Sequence, residues 1–131
     1  MSIFKAILGI CETKPLVDTA WELKDGQAIV NLKNASVLAG KGSAAYLKGK
    51  GLEKPVLVVR GQDNKLYAYQ DRCTHGGRKI DPVPGTDKLK CCSINHSTFD
   101  YDGKPQSGPA KHDIKRYEAK ESGGRLVIKI S

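Results

Sequence analysis

Pro55-Val56-Leu57-Val58-Val59-Arg60, Gly61-Gln62-Asp63-Asn64 and Lys65-Leu66-Tyr67-Ala68-Tyr69 follow one another without interruption. The outer two stretches are short, β-branched and aromatic, as strands are, and the inner one is a run of turn formers. Working outward, Ala28-Ile29-Val30-Asn31-Leu32, Ala44-Ala45-Tyr46-Leu47 and Arg125-Leu126-Val127-Ile128-Lys129-Ile130 have the same character. Lys24-Asp25-Gly26, Asp102-Gly103 and Ser122-Gly123-Gly124 supply further turns. Short strands at close spacing predict an all-β chain, an antiparallel sandwich or small barrel. No long helical period is present, and the N-terminal dozen residues are the best helical candidate.

From Asp71 to Ala110 the texture changes to Gly, Pro, Ser and Asp, with few apolar runs. This stretch holds three of the four cysteines and two of the three histidines. It is expected to be unable to order itself by apolar burial, so that a bound metal supplies the order. At 131 residues, 39% hydrophobic, the chain reads as one domain over 1–131. Residues 1–20 form an N-terminal extension, about 71–110 an inserted subdomain, and the remainder a basal β-sandwich.

Charge alone names no function. Lys and Arg number 22 against 14 acids, a formal charge of +8. Such a balance suits nucleic acid, anionic lipid or an acidic protein. However, the cations are spread along the chain, and 6% aromatics are few for stacking bases. A solvated basic surface, tuned for solubility or for an acidic partner, is the plainer reading. No apolar run reaches the roughly 20 residues of a membrane span. The opening Ser2–Ile10 is broken by Lys5 and Gly9 and makes a poor export signal. Thiols in such a chain point to a reducing, cytoplasmic setting and to metal or catalytic use.

Two clusters carry the chemistry. The first is Cys73-Thr74-His75-Gly76-Gly77; the second is Cys91-Cys92-Ser93-Ile94-Asn95-His96-Ser97-Thr98-Phe99-Asp100. Each offers thiol and imidazole a few residues apart. Two Cys and two His can hold structural zinc, or a [2Fe–2S] centre with Cys on one iron and His on the other.

The spacing resembles the Rieske family. Cys73-Thr74-His75 matches the first Cys-x-His, and sixteen residues lie between His75 and Cys92. Phe99-Asp100, Gly103, Gly108-Pro109-Ala110, Ile114 and Tyr117 resemble the family's downstream segment. The resemblance covers roughly residues 55 to 131 and implies a Rieske-like fold with a cluster-binding subdomain at about 71–110. It departs at one place. The family's second loop is Cys-x-x-His followed by Gly, whereas Asn95 stands three after Cys92 and His96 stands where the glycine would be. Phe99 restores the register. The resemblance therefore implies Cys73 and Cys92 on one iron, His75 and His96 on the other, with one [2Fe–2S] cluster per chain. Cys91 is the rival to Cys92; at the end of a strand it reads as a small buried hydrophobe.

The other candidates have plainer readings. Cys11 is a packed thiol, Trp21 a core or edge aromatic, and His112 an exposed residue on the loop that covers the cluster in the family. High-potential members have a loop-to-loop disulfide, a Ser and a Tyr beside the cluster. Arg78 and Ile94 occupy the disulfide positions here, Ser97 the serine and Phe99 the tyrosine. This places the potential in the lower to middle part of a range of roughly −150 to +300 mV. Surface histidine ligands would also couple electron transfer to proton loss at high pH.

The resemblance implies a soluble ferredoxin, an electron carrier or component of an oxidoreductase system rather than an enzyme by itself. Its partners would be redox proteins with acidic docking surfaces, such as a reductase and a terminal oxygenase, with no role for nucleic acid. An oxygenase needs a further iron held by two His and a carboxylate. One histidine, His112, is left for that. The competing readings are a structural zinc domain whose basic face binds protein or nucleic acid, and a catalytic or sensing role for the Cys91-Cys92 thiols.

Overall fold

A computed structural model describes residues 13–71, 80–83, 85–91, 97–108 and 112–130. The strands are β1 (Trp21–Lys24), β2 (Gln27–Asn31), β3 (Ala44–Leu47), β4 (Val56–Arg60), β5 (Leu66–Gln70) and β6 (Ile80–Pro82). They continue with β7 (Lys88–Cys91), β8 (Thr98–Asp100), β9 (Pro105–Ser107), β10 (Arg116–Ser122) and β11 (Arg125–Lys129). Helix among the described residues is limited to single 3₁₀ turns at Asp18–Ala20, Leu32–Asn34 and Ser36–Leu38. The helical candidate in residues 1–12 lies outside the described residues.

The all-β expectation holds, and the described strands form two antiparallel sheets. One has seven strands in the order β1-β2-β11-β10-β5-β4-β3, the other four in the order β6-β7-β8-β9. Ala28 and Val30 of β2 and Leu126 and Ile128 of β11 share one core with Leu47 of β3, Val56 and Val58 of β4 and Ala68 of β5. Strands from the two ends of the large sheet can share a core only if that sheet curls back on itself.

β4 is buried at every position. Val56 and Val58 face the core of the curl, and Leu57 and Val59 face a second core with Tyr69, Ile80, Leu89, Cys91, Phe99 and Ile114. Successive side chains of a strand point to opposite faces, so a strand covered on both sides must be apolar throughout. The small sheet is that second cover. This corrects the expectation that the middle of the chain lacks apolar burial. Ile80, Leu89 and Phe99 are fully buried; each belongs to a strand too short to read as apolar alone, and the surface it needs is on β4 and β5.

The hairpin from β8 to β9 is held by Asp100, whose Oδ1 accepts from the N–H groups of Asp102 (3.0 Å) and Lys104 (2.9 Å). Gly103 then turns with φ +84°. Its carbonyl accepts the Ile114 N–H at 2.7 Å, docking the return of the chain on this hairpin. A Cβ on Gly103 would lie 2.5 Å from the Ile114 carbonyl oxygen, whereas Gly123, φ +58°, has open space around it. Gly123→Ala should therefore cost about 1 kcal/mol, the left-handed backbone alone. Gly103→Ala should cost at least about 2 kcal/mol, because the backbone clash is added. Urea unfolding of both variants measures the difference, and equal costs would contradict the close approach.

Candidate metal centre

The small sheet sets the site. Ile80, the first residue of β6, pairs with Cys91, the last of β7. Thr98 opens β8 and pairs with Ser107, which closes β9, and their hydroxyls lie 2.5 Å apart. The segments 72–79, 92–96 and 109–111 therefore all leave from the same end of this sheet. Cys73, His75, Cys92 and His96 fall in the first two of these segments, outside the described residues. Cys11 lies outside them as well.

The bases of both segments are closed by hydrogen bonds. The Cys91 N–H donates to the Ser97 carbonyl at 2.8 Å, across 92–96. The Ile80 N–H donates to Asp71 Oδ1 at 2.8 Å, across 72–79. Asp71 is itself fixed, its own N–H bonded to the Pro55 carbonyl at 2.9 Å. Asp71 is 4% exposed, and its part escaped sequence reading. The available signal was an acid between an apolar strand and a Cys-x-His.

Below these bases the second core is apolar. Cys91 sits in it, buried at the end of a strand as expected. Ser97 and Phe99 are both buried. His112 is exposed. Trp21 is buried in an edge strand, with the Lys50 ammonium 4.6 Å from its ring centre.

At the opposite end of the small sheet three tyrosines gather. The Tyr69 hydroxyl donates to the Tyr101 carbonyl at 2.7 Å, and the Tyr67 and Tyr101 rings lie 4.9 Å apart. The Tyr67 hydroxyl donates to Asp63 Oδ2. That bond is the main cause holding the Asp63 carboxyl below its ordinary range. Burial, then the bond to Asp63, pushes Tyr67 up to about 12.

The sequence matches the family described as Rieske [2Fe-2S] domain over residues 28–118, more than half of the chain and inclusive of both Cys/His clusters. The chain belongs to this family, and the [2Fe–2S] cluster is the family's cofactor. A cyanobacterial plasma membrane Rieske protein of Synechocystis PCC 6803 is 30% identical, with 64% of this chain and 85% of that one covered and a TM-score of 0.53. The ferredoxin of carbazole 1,9a-dioxygenase from Nocardioides aromaticivorans IC177 has the same fold. Its TM-score is 0.62 at 19% identity, over 79% of this chain and 95% of that one. Carotenoid phi-ring synthase of Chlorobaculum tepidum is 36% identical over 74 residues, 56% of this chain but 11% of that protein's length. Among the described residues no helix is long and apolar enough to cross a membrane.

The residues present fit the cofactor. The two loops carry two thiols and two imidazoles, the Rieske donor set, and their bases meet at the Ile80–Cys91 pair.

The tyrosine cluster gives a pH test. Folding favours the neutral Tyr67 phenol, so its contribution to stability is complete below pH 10 and disappears as pH rises toward about 12. Asp63→Asn should lower the Tyr67 midpoint but leave it above 10, because burial is the larger cause. Phenolate absorbance during alkaline titration, with Tyr67→Phe to assign the signal, measures both.

Proposed function

We propose that this chain is a Rieske-type ferredoxin, carrying single electrons between protein redox partners. In this reading Cys73 and Cys92 supply thiolates to one iron, and His75 and His96 supply neutral imidazoles to the other. When bound, a [2Fe–2S] cluster takes up and releases one electron at a time. The observation that carries the reading is the Ile80–Cys91 pair, which brings the bases of both Cys/His loops together at one end of a small sheet.

The chain's own residues have separable tasks. The bonds from Cys91 to Ser97 and from Ile80 to Asp71 hold the loop bases. Leu89 and Phe99, fully buried in the same layer as Ile80 and Cys91, close the base against water. Cys91 is occupied as a strand residue within that apolar layer, which favours Cys92 as the ligand. In this reading residues about 71–110 are the cluster-binding subdomain on a basal sandwich, and residues 1–20 are an extension.

By analogy with the dioxygenase ferredoxin, we place the chain between a reductase and a terminal oxygenase, in a reducing, cytoplasmic setting. The partners would have acidic docking surfaces, and nucleic acid has no place in this reading. A surplus of +8 should speed encounter with an acidic partner, more so at low salt. The bimolecular electron-transfer rate should therefore fall as ionic strength rises. Stopped-flow mixing with a reductase tests this, and a rate indifferent to salt would remove the acidic-partner proposal.

The ligand set has a direct test. Purified protein should be coloured and hold iron and acid-labile sulfide in equal amounts. Cys73→Ser, His75→Ala, Cys92→Ser and His96→Ala should each lose most of both, while Cys91→Ser keeps them. Stoichiometric zinc in a colourless protein would refute the carrier, and loss of the cluster in Cys91→Ser alone would move the register by one residue.

A further inference from the structure

We propose that Asp71 is a positioning residue, a latch that closes the first ligand loop and fixes its distance from the second. The inference rests on the ligand reading above, since it takes Cys73 and His75 to be on the loop that Asp71 closes. The two loop bases are closed by different means. Segment 92–96 is shut by a backbone bond, Cys91 N–H to the Ser97 carbonyl. Segment 72–79 is shut by a side chain, through Ile80 N–H to Asp71 Oδ1 at 2.8 Å.

That difference matters because Ile80 is also the residue paired with Cys91. A continuous series of contacts runs from the Pro55 carbonyl to the Asp71 N–H, from Asp71 Oδ1 to the Ile80 N–H, across the pair to Cys91, and on to Ser97. Asp71 links the large sheet to the small one within this series. Its main chain is bonded to the residue before β4, and its side chain to the first residue of β6. Both partners are buried, so water does not readily replace the bond, and a buried N–H left without an acceptor is costly. Removing the carboxylate releases the first loop at its far end while leaving the second closed. The function of the latch is to supply an acceptor oxygen at a set position, which an Asn carbonyl also does.

The experiment compares Asp71→Ala and Asp71→Asn with the wild-type holoprotein. Three readouts are taken well below the unfolding temperature: cluster release into a ferrous chelator, the visible circular dichroism of the cluster, and its midpoint potential. Asp71→Ala should release iron about tenfold faster, the scale seen when groups supporting metal ligands are removed, with an altered spectrum and a shifted potential. Asp71→Asn should stay within about threefold of wild type with the wild-type spectrum. If Asp71→Ala does not fold, Asp71→Ser takes its place, since its shorter side chain withdraws the acceptor. Wild-type behaviour in the variant lacking the acceptor would overturn the latch. So would an Asn variant as defective as the Ala variant, because charge rather than an acceptor would then be at work. Wild-type protein that takes up no iron or sulfide would overturn the ligand reading and this inference with it.

Discussion

The structure depends on one strand being buried on both of its faces. β4 gives Val56 and Val58 to the core inside the curled sheet and Leu57 and Val59 to the layer beneath the small sheet. β5 divides likewise, with Ala68 on one side and Tyr69 on the other. A slip of one residue would exchange the two sets and match neither core. The alternation fixes where the small sheet lies, and the small sheet fixes where the loops begin.

Legibility in the sequence followed burial. β2, β3, β4, β5 and β11 are β-branched or aromatic and could be read directly. β10 could not. Arg116-Tyr117-Glu118-Ala119-Lys120-Glu121-Ser122 is mostly charged, and Tyr117 is its one buried residue; its strand identity comes from pairing with β11 and β5. β1 and the strands of the small sheet are three or four residues long, and unlike the equally short Ala44–Leu47 of β3 each is interrupted by Lys, Glu, Asp, Gln or Ser, so no apolar signal registers. The Cys-x-His element was legible because its chemistry depends on residue type and spacing. The Asp71 contact was not, because its partner Ile80 is unremarkable in sequence and distant until the chain folds.

The basic residues do not act alike. Arg60 is buried, donating to the carbonyls of Leu38 (2.5 Å) and Asn64 (2.9 Å) and lying 3.7 Å from Glu121. Arg116 is held 2.7 Å from Asp102 and lies over Tyr67. Lys50 donates to the carbonyls of Asp18 and Trp21. These cations serve the fold, where they cap carbonyls and aromatic faces. The charge offered to a partner is the remainder, such as exposed Lys41, Lys48, Lys65 and Lys120.

The two cores also differ in how much of the chain they need. The layer beneath the small sheet draws its buried residues from Leu57 to Ile114. The core inside the curl runs from Leu16 to Ile128 and includes Leu126 from the strand that joins β2 to β10. Every buried residue of the first layer therefore comes from the one stretch between Leu57 and Ile114, whereas the other core must join strands from opposite ends of the described chain. The half of the molecule that supports the Cys/His loops rests on contacts of shorter sequence separation, and closing the curl carries the larger loop-closure cost.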